Sequence, residues 1–410
     1  MIPLLLALAA ALQDSRPAPA PASAPRPREE GPLLAIRVKR AETVSQGPIE
    51  EATILVKGGR IATVGPNVPV SRRAKVVEAR ELVAVPGWVI PFSHAGVSPG
   101  RARGMNAHLR AVDEIDPFDP LWKKLLERGA TTIAVAPFGG GISGRGAILR
   151  PRGSKVSELA LVPDAFLAVD FEASTQGKQQ LRQALQNAEH ELEKLEKTAE
   201  TRPATAPATQ PATQPATRPA PATQPAPLDP KVEPFVRLLE RKTRAFVALS
   251  GPGEYLHFRD AAKDVEFDAV LVGNSPLYQV ADRMGDSKES VVLPPDIGFV
   301  PQTRNRVNAA AILSRAGVKI AFVPAPANLE GYESYPFRVG EVVKAGLDRN
   351  VALRAMTLTP AEFLGVADRV GSIEEGKDAN LLFFDGDPFD ARARLRKVLF
   401  EGAFVYEATP

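Results

Sequence analysis

Cysteine is absent from the 410 residues. That excludes disulfide bridges, thiolate-ligated zinc, thiol nucleophiles and a lipid anchor on an N-terminal cysteine. Histidine is nearly as scarce: His94, His108, His190 and His257 are the whole set. An excess of charge of one sign is lacking too, since 51 basic and 48 acidic residues leave a net charge of only +3. With no basic stripe interleaved with aromatics, the sequence offers no footprint for nucleic acid. The apolar run at residues 2–12 is too short for a membrane span, which takes roughly 20 residues. No Ser or Cys elbow supplies a nucleophile. The glycines of residues 139–146 are not followed by Lys-Ser/Thr, so they read as a tight loop rather than a phosphate-cradling one.

What is present suits one large core with a smaller domain, at 44% hydrophobic and 24% charged residues. Residues 1–12 end in Ala9-Ala10-Ala11 and read as a signal peptide, which implies export to the periplasm or beyond. The positively charged start of such a segment is missing, and a plain apolar tail stays open. Residues 13–32 are a Pro/Ala-rich tether. In residues 201–227 proline recurs about every fourth position, a composition that buries no core and predicts an extended excursion. It interrupts the pattern around it without ending it, as an inert insert or as a docking ligand for a partner.

Short strands with turn signals open the folded part. Gly58-Gly59 predicts a hairpin, because glycine reaches positive φ at little cost. Strand character returns at residues 380–384 and 398–406. Between them, strands predicted at 83–90, 131–136, 166–171, 245–250, 268–273, 291–294 and 318–323 alternate with helical stretches, including 121–126, 179–200 and 302–316. Such alternation argues for an α/β fold with a parallel sheet.

The stretch at residues 82–96, LVAVPGWVIPFSHAG, resembles the entry strand of an amidohydrolase-superfamily barrel. The passage RAVDEIDPFDP, its following helix and GATT strand are similar to the imidazolonepropionase-like branch of these metal-dependent hydrolases. TLTPAEFLG and GKDAN resemble the exit from that barrel. The resemblance implies a TIM-type (β/α) barrel over residues 86–375 and a composite β-sandwich from residues 33–85 and 376–410. It also implies hydrolysis of C–N bonds by a metal-bound water, and a dimer as a common assembly.

The ligands implied by the resemblance are largely missing. Phe92 stands where the first histidine of His-x-His is expected, Ser93 is the spacer, His94 the second histidine, and Ile90 replaces the preceding acid. The places for two further histidines and an aspartate fall at residues 249–251, Gly273 and about Ala325. A catalytic zinc usually has three protein ligands, so zinc or another divalent metal is expected only if a substitute set forms. His94, Asp170 and Asp296 are the candidates for one. With Glu172 and Asn274, these residues also outline a candidate binding cleft. Carboxylates at strand tops commonly cap helices instead, and a lone histidine is more often a hydrogen-bonded core residue. Three readings follow: a degenerate member that binds a small molecule or pairs with an active paralogue, a working hydrolase rebuilt around His94, and a scaffold that recruits a partner through residues 201–227.

Overall fold

The computed structural model describes residues 33–100, 103–200 and 228–409. The segments read as a signal peptide (1–12), a tether (13–32) and a Pro-Ala-Thr insert (201–227) lie outside the described residues. The chain opens with β1 (Leu33–Glu42), β2 (Pro48–Glu50), β3 (Thr53–Lys57), β4 (Arg60–Gly65) and β5 (Lys75–Pro86). Gly58 and Gly59, at φ 57° and 79°, turn β3 into β4 as the sequence predicts.

Next come β6 (Trp88–Ile90), β7 (Arg103–Met105), α1 (Pro120–Glu127), β8 (Ala130–Val135), β9 (Gly140–Leu149), α2 (Val156–Leu159), β10 (Ala160–Asp170) and α3 (Thr175–Glu200). They are followed by α4 (Glu233–Leu239), β11 (Arg244–Ala248), α5 (Pro252–Ala261), β12 (Ala269–Val272), α6 (Ala281–Asp286), β13 (Ser290–Leu293), β14 (Gly298–Phe299) and β15 (Arg306–Val307). The rest is α7 (Ala309–Arg315), β16 (Lys319–Phe322), α8 (Leu329–Lys344), α9 (Arg349–Met356), α10 (Leu358–Leu364), β17 (Leu381–Phe384), β18 (Leu395–Phe400) and β19 (Ala403–Glu407).

Both chain ends build one sheet, in the order β19-β18-β17-β5-β1-β3-β4 with β2 beside β1. The join is β17 running antiparallel to β5, with Leu381 opposite Pro86 and Phe384 opposite Val83. The ladders of this domain form a single continuous eight-stranded sheet. One set of its side chains, Ile36, Ile54, Ile61 and Phe383 among them, forms a separate core. Val85, Leu382, Phe384 and Phe400 instead join the core shared with the helices around the second sheet.

That second sheet is a nearly closed barrel, in the order β16-β13-β12-β11-β10-β9-β8-β6. All seven strands predicted for it are present. Val89, Ala134, Phe166, Phe246, Val270, Val292 and Ala321 fill the interior with Phe363 and Leu364 of α10 beneath. Their neighbours Ile90, Ile133, Leu167, Val247, Leu271, Val291 and Ile320 pack outward under the helices. This is the two-residue alternation of a strand buried on both faces.

The barrel is not all-parallel. The glycine-rich stretch read as a loop is strand β9, antiparallel to both β8 and β10. Only residues 136–139 separate β8 from β9, and a parallel crossover needs about a dozen residues or more, so the chain turns straight back. The helix predicted over 302–316 is also shorter. The β14–β15 hairpin takes its first part, and Asn308 starts α7 by accepting the Ala311 amide at 3.0 Å. No helix among the described residues is long and apolar enough to cross a membrane.

Candidate functional site

Beyond β6 the chain runs along the top of β8. The Ser93 carbonyl accepts the Ala136 amide at 2.8 Å, and the His94 Nδ1–H donates to the Ala136 carbonyl at 2.9 Å. A carbonyl can only accept, so Nδ1 carries the proton and the lone pair of the neutral ring sits on Nε2. Phe138 stacks on the imidazole at 4.1 Å between centroids, and Phe92 meets it edge-on at 5.2 Å.

Burial lowers the His94 pKa below its ordinary 6.5, opposed by the Ala136 carbonyl and the charge of Asp170. The folded protein therefore keeps this imidazole neutral where the unfolded chain takes up a proton. Stability is full above pH 6.5 and falls as the pH drops below it toward the depressed folded value. In His94→Gln, melting followed by circular dichroism between pH 7.5 and 5 should lose this part of the acid sensitivity. An identical slope in both proteins would contradict the burial of a neutral ring.

Where an amidohydrolase carries its first metal histidine, Phe92 closes the interior. It lies parallel to Phe246 with centroids 6.3 Å apart, and Phe166 meets Phe246 at 4.4 Å. The inward positions at the tops of the strands expected to supply further ligands continue from Phe246, Val270 and Ala321 by two residues. They are Ala248, Val272 and Val323. These side chains offer no lone pair. A metal-bound water in the manner of the fold's hydrolases does not fit this donor set.

Asp170 follows Phe166 and Ala168 on the inward side of β10 and is exposed at the mouth, where its charge acts on His94. Asp170 and Glu172 share a cavity of about 290 Å³ with Ser174, Gln176, Gln180 and the backbone of Gly140 and Gly141. Across the mouth, Asn274 is exposed beyond β12, and its neighbour Ser275 donates its hydroxyl to Asp296 Oδ1 at 2.5 Å. The structure thus couples His94 to Asp170, puts Asp170 with Glu172, and puts Asp296 with Ser275. Among the described residues no three His, Asp or Glu side chains come together as a metal would need. His108 is half-buried with Nδ1 unpartnered, while His190 and His257 are exposed.

Four neighbours were not foreseen. Phe138 covers His94, Gln176 and Gln180 line the cavity, and the buried Tyr332 of α8 is hydrogen-bonded to Ser93. Residues more than two hundred positions apart in sequence carry no mutual signal in a single chain. Gln176 and Gln180 stand one turn apart on α3, but only Gln180 falls within the helix predicted at 179–200.

No curated protein matches this chain in sequence. A sequence model of the amidohydrolase family matches residues 306–407, from β15 through β19. An amidohydrolase from Thermotoga maritima MSB8 is similar in structure with a TM-score of 0.76 at 21% identity, over 92% of this chain and 100% of its own. A prolidase complexed with N-methylphosphonate-L-proline gives 0.55 at 18%, over 92% and 100%. An atrazine chlorohydrolase from Arthrobacter aurescens TC1, complexed with zinc, gives 0.52 at 16%, over 91% and 95%. At these identities the shared property is the fold. The recognition drawn from the sequence stands: the C-terminal part of this chain carries the amidohydrolase family's pattern, and nearly all of it carries the amidohydrolase fold.

Proposed function

We propose that this protein uses the amidohydrolase barrel to bind a small molecule and does not run the metal-water hydrolysis of its fold relatives. The observation that carries this reading is the donor set at the barrel mouth. One imidazole and one carboxylate reach it from His94 and Asp170, beside Phe92, Ala248, Val272 and Val323. A catalytic zinc ordinarily takes three protein ligands and keeps one position for water. The cleft at Asp170 and Glu172 is rich in hydrogen-bond acceptors, with two carboxylates and two side-chain amides, and suits a ligand bearing amine or hydroxyl donors. Pairing with an active paralogue or with a second copy is compatible with this role, as is the export proposed from residues 1–12.

One observation favours a second reading, a hydrolase of cyclic or non-peptide C–N bonds rebuilt around His94. The Nδ1–H bond to Ala136 leaves the Nε2 lone pair available, the arrangement common among metal-bound histidines. Plasma mass spectrometry of the dialysed protein, before and after incubation with zinc, separates the two. Substoichiometric metal in both samples is expected. About one metal per chain, lost in His94→Ala, would overturn the binding reading and direct the work to amide and lactam substrates.

A further inference from the structure

A second cavity lies away from the barrel mouth. It has a volume of about 590 Å³ and sits where α1 and α8 meet the sheet built from the chain ends. That volume is in the range of small-molecule sites, which favour such junctions between structural units. Its walls include the rings of Tyr332, Phe337, Phe384 and Tyr406. Phe337 is 47% exposed, which is unusual for so large an apolar side chain.

Two arginines line the same space, each held by backbone carbonyls. Arg394 donates from Nη1 to the Ala391 and Ala393 carbonyls at 2.9 and 3.2 Å. Arg128 donates from Nη1 to the Lys124 carbonyl at 3.0 Å. The acids in the lining are spoken for. Asp390 is held by Arg392 at 3.1 Å, Glu127 faces Lys123 at 3.8 Å, and Glu333 reaches Arg128 at 3.5 Å. Arg394 has no carboxylate at ion-pair distance among the described residues, because its neighbour Asp385 is engaged by Arg396 at 2.6 Å. A guanidinium fixed on one edge, with its other edge free, beside aromatic walls, is a preorganised receptor for a planar anion.

We propose that this cavity is a second small-molecule site, for a carboxylate whose apolar or aromatic body packs against Phe337 and Tyr406 while Arg394 binds the charged end. A free organic acid and the C-terminal carboxylate of a peptide share this chemistry. Titration calorimetry on the full chain with phenylacetate and with the tripeptide Ala-Ala-Phe distinguishes them, with phenylacetamide and the tripeptide amide as neutral controls.

Saturable binding of at least one acid is expected, with its amide weaker by about tenfold or more, as for loss of a charge-assisted bidentate contact. Arg394→Gln should weaken the acid by a similar factor, and Phe337→Ala should weaken it several-fold. Asp170→Asn, at the barrel mouth, should leave it unchanged. Binding of phenylacetate alone assigns a free acid, and of the tripeptide alone a peptide end. No saturation by either acid up to about 10 mM, or equal affinity in Arg394→Gln and Phe337→Ala, would overturn the proposal. Both side chains are exposed, so the variants keep the fold, which a melting curve checks. Failure here leaves the metal-content result at the barrel mouth untouched.

Discussion

Gly146→Val is expected to lower the urea midpoint of unfolding sharply, corresponding to about 1–3 kcal/mol or more for overpacking an interior. Gly146 lies opposite Phe166 in the β9–β10 ladder, and a Cβ placed on it would run into the Phe166 ring. Phe166 cannot retreat, because Phe246 packs against it at a tilt, with centroids 4.4 Å apart, and Phe92 lies beyond. The glycine is therefore the space into which an aromatic core expands. The pair is diagnostic as a cycle. Phe166→Ala alone should cost about 3–5 kcal/mol through the cavity it leaves. Combined with Gly146→Val it should cost clearly less than the sum, with a coupling of about 1–3 kcal/mol. Additive costs would mean that the two side chains do not compete for the same volume.

Arg369→Leu is expected to destabilise the protein by about 3–5 kcal/mol, the cost of leaving a buried carboxylate without its partner. Asp378, in the GKDAN stretch, has a side chain only 1% exposed. Arg369 Nη2 donates to its Oδ2 at 2.8 Å, and Arg60 approaches no nearer than 3.7 Å. The backbone doubles this link, since the Asp378 amide donates to the Arg369 carbonyl at 2.8 Å. Arg369→Leu with Asp378→Leu should recover much of the loss, because removing both charges removes the desolvation cost as well. Urea denaturation of the single and double variants measures it. Arg392→Leu, at an exposed ion pair with Asp390, serves as a control and should change stability little. Equal effects of Arg369→Leu and Arg392→Leu would show that burial of Asp378 does not govern the link.

The same stretch explains how a motif can be readable while its purpose is not. GKDAN marks re-entry into the sheet in sequence, but its side chains act in three dimensions. Asp378 is gripped by Arg369, and Asn380 Oδ1 accepts the Glu401 amide at 2.9 Å, pinning the turn between β18 and β19. These are structural duties: an ion pair and a turn clamp. The glycines of β9 show the converse. Their clustering suggested a loop, because glycine at the surface of a chain usually marks a turn. Inside a barrel it can equally mark where a neighbouring ring needs room, and composition does not distinguish the two.

The site was legible by position and illegible by contact. His94 was recognised from its place at the end of an apolar run. That it is stacked on Phe138, hydrogen-bonded to Ala136 and within reach of the Asp170 charge depends on β8 and β10 arriving beside it. Glu172 and Asp170 were grouped because they leave the same strand, and they line one cavity. Asp296 was grouped with them only as another strand-top acid, and it sits with Ser275 instead.

By itself the sequence determined seven of the eight barrel strands, a β-domain drawn from both chain ends and the near absence of imidazole ligands. Alternating apolar positions, turn glycines and residue identity are local properties, and burial acts on them locally. Tertiary structure alone decided the direction of β9, the filling of the barrel by Phe92, Phe166 and Phe246, and which carboxylate faces His94. Each of these depends on volumes and charges brought together from distant segments, and a chain read in one dimension does not contain their distances.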